Sequence, residues 1–72
     1  MDFQDVDSSS IREVGHDEED EVLGVIFNSG ILYHYKGVSK EKFEEMVAAP
    51  SVGKFLNEEI KDVFDCENMG PA

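Results

Sequence analysis

Tryptophan is absent, cysteine occurs once and only six of 72 residues are basic. Each shortage removes a class of protein. With Cys66 alone, no disulfide can close within the chain and no cysteine cluster can hold zinc, a usage that fits a reducing cytoplasm. Six bases against 17 acids give a net charge of −11. A field of that sign repels polyanions, so direct binding of DNA or RNA backbones is not expected, nor is an anionic membrane surface. No basic segment followed by an apolar run opens the chain, so no secretory signal is expected. The apolar runs are also too short to span a bilayer.

Catalytic patterns are equally scarce. No Ser/His/Asp or Cys/His arrangement can be identified, and no carboxylate pair is marked out as differently tuned. The acidic run Asp17-Glu18-Glu19-Asp20-Glu21 does not follow the calcium-loop spacing, and a single His16 beside Asp17 is a poor basis for a metal site. Gly53-Lys54 is not a P-loop, because the upstream glycine is missing and Phe55 stands where a hydroxyl would hold magnesium. The expectation is a protein that is not an enzyme, with no metal and no cofactor.

What is present is a short α+β pattern. At this length the chain is one domain, burying roughly 60% of the surface of its unfolded state. The polar, acidic ends predict a flexible leader over 1–8 and a flexible tail over 65–72, leaving a folding unit over 9–64. Without Asp2, Asp5, Asp7, Asp65 and Glu67, that unit keeps twelve acids against six bases.

Ile11 to Gly15 predicts a short edge strand, the acidic run a turn, and Glu21 to Phe27 a second strand with Leu23, Val25 and Phe27 on one face. Asn28-Ser29-Gly30 predicts a hairpin turn in which Gly30 takes positive φ. Ile31 to Lys36 returns, setting Val25 opposite Tyr33 and Leu23 opposite Tyr35. Ser39 caps a helix through Ala48 or Ala49, which Pro50 breaks, and a second helix is expected from Ser51 to Phe64. The predicted architecture is a three-stranded antiparallel meander followed by two helices packed on one face, β-β-β-α-α. The reverse face would carry Val22, Ile26, Leu32 and His34 as a candidate oligomer interface.

Two features could bind a ligand. Tyr33 and Tyr35 share one side of a sheet, where they either pack in the core or offer a platform for a flat ring. Ser51, Gly53, Lys54 and Asn57 lie at the start of the second helix, with Arg12 and Lys61 as further cations for a phosphate. Gly53 in a helix suggests close backbone approach, by a strand or by a ligand.

The chain as a whole resembles the KTSC domain family of short modules, including stand-alone bacterial and phage proteins. The resemblance rests on Ser10-Ile11, Val14-Gly15-His16-Asp17 and Leu23-x-Val25-x-Phe27. It continues through Gly30, Tyr33-x-Tyr35, Gly37-Val38, Phe43, Ser51-Val52-Gly53-Lys54-Phe55-x-Asn57 and Ile60-Lys61. It implies a small α+β fold and an RNA-associated role, the latter weakened here by the few basic residues. Stand-alone phage relatives would suit a sponge for a nucleotide signal, working in the host cytoplasm. The leading expectation is thus an oligomeric, non-catalytic module for a small anionic ligand such as a nucleotide or cyclic nucleotide. The alternative is an acidic interaction module, or nucleic-acid mimic, docking on a basic partner.

Overall fold

A computed structural model describes residues 1–72. Seven elements follow in order: β1 (Asp2–Asp5), β2 (Ile11–Asp17), β3 (Val22–Phe27), β4 (Ile31–Lys36), α1 (Lys40–Ala48), α2 (Val52–Phe55) and β5 (Asp65–Pro71), with a π-helical turn over Leu56–Ile60 continuing α2. The strands form one antiparallel sheet in the order β1-β2-β3-β4-β5. No helix is long and apolar enough to cross a membrane.

The expected three-stranded meander followed by two helices is therefore corrected to five strands, the last coming after the helical layer. Both extra strands come from the segments expected to be a flexible leader and a flexible tail. Edge strands pair on one side only and carry charge that blocks further pairing, so their sequences show little apolar alternation. Asp2, Asp5, Asp65 and Glu67 have that character here. With β1 beside it, β2 is an inner strand rather than an edge, and it runs two residues further than expected, to Asp17. The second helix is shorter than expected, ending its π turn at Ile60 instead of reaching Phe64.

Local chemistry explains the boundaries. The acidic run makes the β2–β3 turn, where Asp17 Oδ1 accepts hydrogen bonds from the Glu19 and Asp20 N–H groups at 3.1 and 3.2 Å. Glu21 takes positive φ there, and its carbonyl accepts from the Gly37 and Val38 N–H groups. Gly30 turns the β3–β4 hairpin with φ of 90°. The register sets Val25 opposite Tyr33 and Leu23 opposite Tyr35, as the alternation predicts. Ser39 caps α1 by accepting from the Lys42 N–H, and Ala49 before Pro50 ends it in extended geometry.

The inner face of the sheet meets the helical layer. Ile11, Val14, Leu23, Val25 and Tyr35 pack there with Val38, Met46, Val52, Leu56 and Ile60 in one apolar cluster. His16 belongs to this layer: its ring stacks on Phe43 at 5.2 Å, and Nε2–H donates to the Val38 carbonyl at 2.7 Å. That carbonyl can only accept, which fixes the proton on Nε2.

On the outer face, Gly15 and Gly24 are cross-strand partners, and Phe3 and Met1 lie over the trough they leave. Ile26 is 8% exposed in the single chain, whereas Val22, Leu32 and His34 are half-buried. The chain's own N-terminal strand thus covers part of the face expected to meet another subunit.

Candidate functional site

The hairpin puts both tyrosines on the inner face, but their surroundings differ. Tyr35 is 3% exposed and part of the core. Its ring cannot serve as an open stacking platform. Tyr33 is half-buried, with its ring set edge-on to Phe27 at 5.4 Å between centroids. Strand β5 then brings Cys66 opposite Tyr35 and Asn68 opposite Tyr33, and the Asn68 side-chain amide donates to the Tyr33 hydroxyl at 3.4 Å. Burial raises the Tyr35 phenol pKa well above its ordinary value, and the neighbouring Cys66 thiol and Tyr33 hydroxyl push the same way. At neutral pH this group is a neutral phenol.

The opposite wall comes from the helical run after Ser51. Ser51 Oγ accepts from the Lys54 N–H at 3.2 Å, so the cap occupies part of the hydroxyl's bonding capacity. At Leu56 the run widens from α to π geometry, closed by the Lys61 N–H donating to the Leu56 carbonyl at 2.8 Å. Such turns are rare and recur at functional sites. Here the turn keeps Leu56 and Ile60 buried on the sheet, while Asn57 and Lys61 border open space.

Two clefts result. The first, of about 530 Å³, lies between the sheet and the π turn and is lined by Phe27, Tyr33, Tyr35, Asn57, Lys61 and Cys66 among others. The second, of similar volume, is lined only by non-apolar residues and Pro50, including Ser8, Ser10, Ser51, Gly53, Lys54 and Asn57. Ser10 and Asn57 border both. A β-carbon built on Gly53 would meet the Ser8 and Ser10 hydroxyls at 3.1 Å, so the close approach expected at this glycine is made by the chain's own serine segment.

Charge is distributed unevenly. Arg12, Lys36, Lys40 and Lys42 each lie 3.7 Å from a carboxylate, of Glu13, Glu67, Glu18 and Glu59 respectively. Lys54 and Lys61 have no carboxylate within 4.0 Å, and each lines one cleft. Asp62 lines the first cleft, and Asp7 and Glu58 line the second.

Of the residues proposed from sequence, Tyr33, Tyr35, Asn57 and Lys61 meet in the first cleft, and Ser51, Gly53, Lys54 and Asn57 in the second. Arg12 lies in neither: it sits at the β2–β3 register irregularity, paired to Glu13. Cys66 and Ser10 were not singled out as site residues. The period-two pattern Cys66-x-Asn68 could have signalled the first, by placing both on one strand face. Nothing in Ser8-Ser9-Ser10 marks it as more than a loop.

A family model described as the KTSC domain matches residues 7–64. A chain from Tsukamurella paurometabola, described only as a protein, is 38% identical over 86% of this chain and 92% of its own length. An uncharacterised protein of Stutzerimonas stutzeri is 41% identical over 75% of this chain and 76% of its own. The crystal structure of a KTSC domain protein from Yersinia pestis superposes with a TM-score of 0.91 at 32% identity, covering 96% of this chain and 97% of that one.

Proposed function

The chain belongs to the KTSC domain family, and from that premise we propose that it is a non-catalytic module binding a small, flat, anionic ligand of the nucleotide or cyclic-nucleotide class. The observation that carries this reading is the pairing, in one cleft, of the half-buried Tyr33 ring with Lys61, a cation left without a carboxylate partner in a chain rich in them. Stacking on an aromatic side chain contributes about 1–3 kcal/mol per base. The Tyr35 phenol at the margin of the cleft is held neutral, so it adds no negative charge to repel an anion. The net charge of −11 does not oppose a small ligand as it opposes a polyanion. Charges more than about 8–10 Å away are screened, so the field in the cleft is set locally, by Lys61 and by Asp62 beside it. The relatives are bacterial, which suits a cytoplasmic setting where nucleotides are abundant.

Calorimetry against nucleoside monophosphates and cyclic nucleotides tests the reading. The expected result is saturable heat for at least one compound, with affinity falling about 10-fold or more in Lys61→Ala, in line with a lost charge-assisted hydrogen bond. No heat with any compound overturns it. The ordered acidic turn at Asp17–Glu21 would then be the better candidate, as a docking surface for a basic partner.

A further inference from the structure

We propose that the two clefts are halves of one site whose ligand is a nucleoside polyphosphate. Its ring lies in the tyrosine cleft, and its phosphate chain crosses Asn57 into the serine-lined cleft toward Lys54. This rests on the nucleotide reading above and specifies the ligand within it.

Continuity is the first argument. Ser10 and Asn57 border both clefts, and Asn57 stands on the π turn that widens the helix at this point. The linings are complementary rather than duplicated: aromatic and mixed on one side, hydroxyl-rich and without apolar side chains other than Pro50 on the other.

The second argument is the chemistry of the serines. Ser8 Oγ accepts from the Ser10 and Ile11 N–H groups, both at 3.3 Å, which uses its acceptor capacity. A hydroxyl so engaged has only its O–H left to offer, and that is a donor. Ser51 Oγ likewise already accepts, from the Lys54 N–H. With both acceptor sites of Ser8 and one of Ser51 taken, each hydroxyl still has its O–H to donate, which suits phosphate oxygens as acceptors.

The third argument is the cations. The two lysines without carboxylate partners stand one in each cleft. A monophosphate occupying the tyrosine cleft uses Lys61 and leaves Lys54 idle, whereas an extended phosphate chain engages both. Asp7 and Glu58 line the same cleft and oppose an anion there, so Lys54 and the serine hydroxyls must outweigh them for the phosphate chain to bind.

The test is calorimetry with the magnesium complexes of ATP, GTP, CTP and UTP and with the four matching monophosphates. It compares the full chain with Lys54→Ala, Lys54→Gln and Lys61→Ala. The expected result is at least one triphosphate binding about 10-fold more tightly than its monophosphate, the scale of one charge-assisted contact. In both Lys54 variants that advantage shrinks to about 2-fold or less while monophosphate affinity holds, whereas Lys61→Ala weakens both ligands alike. Lys54 is exposed at its side chain's end of the fold and its capping role is a backbone N–H, so neither substitution removes a structural contact. Equal affinities in the unaltered chain, or a triphosphate preference that survives both Lys54 variants, overturn the two-cleft site while leaving nucleotide binding intact. Binding of no nucleotide overturns both.

Discussion

The two faces of the sheet are covered by opposite means. The inner face is filled by large side chains: Leu23 and Val25 from β3 and Val14 from β2 are fully buried against Met46 and Ile60 of the helical layer. The outer face is filled from glycines upward, with Gly15 and Gly24 leaving a trough that Met1 and Phe3 occupy. An aromatic ring laid over strand glycines compensates for their missing side chains. The difference teaches that apolar content alone does not decide which sheet face seeks a partner. A face can be covered in part by its own edge strand where glycine provides the space.

Removing volume from the inner face gives the largest expected effect. Leu23→Ala opens a cavity at a fully buried position and should lower unfolding free energy by about 3 kcal/mol in urea titrations. The outer face should fail in the opposite sense, by addition. A β-carbon on Gly15 would lie 2.7 Å from the Asp2 carbonyl oxygen, which is backbone and can move only if β1 shifts on β2. Gly15→Ala is therefore expected to cost about 1–3 kcal/mol, with amide exchange accelerating across β1. At Gly24 the close atoms are Met1 Sδ at 2.6 Å and Phe3 Cζ at 2.8 Å, both side-chain ends, so Gly24→Ala should cost less than Gly15→Ala. If neither substitution destabilises the fold, β1 is not the element that covers the outer face.

The same contrast separates what could be read in the sequence from what could not. The β3–β4 hairpin, its register, the acidic turn and the Ser39 cap follow from alternation, Gly30 and cap chemistry, all local signals. The edge strands β1 and β5 leave no such trace, because charged residues such as Asp2 and Glu67 serve an edge as well as they serve a tail. Missing β5 hid Cys66 and Asn68 from the site. Missing β1 also hid the cover that Met1 and Phe3 lay over Gly15 and Gly24 on the face that carries Val22, Ile26, Leu32 and His34. Tyr33, Asn57 and Lys61 were legible as candidates individually. That they meet depends on the π turn, which no periodicity announces.

The smallest effect, absent at neutral pH, tests how closed the inner face is at its margin, where Tyr35 borders the first cleft. Its phenol pKa is raised in the folded chain by burial, with Cys66 and Tyr33 adding to the shift. An unfolded chain releases that proton near the ordinary phenol value of about 10. Above that pH the unfolded state holds fewer protons than the folded state, so stability must fall as pH rises; below it, the group has no effect on the slope. While only the unfolded state is ionised, the fall is about 1.4 kcal/mol per pH unit. Urea titrations from pH 9 upward should therefore show a decline that Tyr35→Phe reduces by about that amount per unit. Phenylalanine keeps the ring in the core and removes only the titrating hydroxyl. A variant that loses stability as steeply as the unaltered chain would mean that water reaches the Tyr35 oxygen through the cleft. The inner face would then be open where the outer face, under Phe3, is shut.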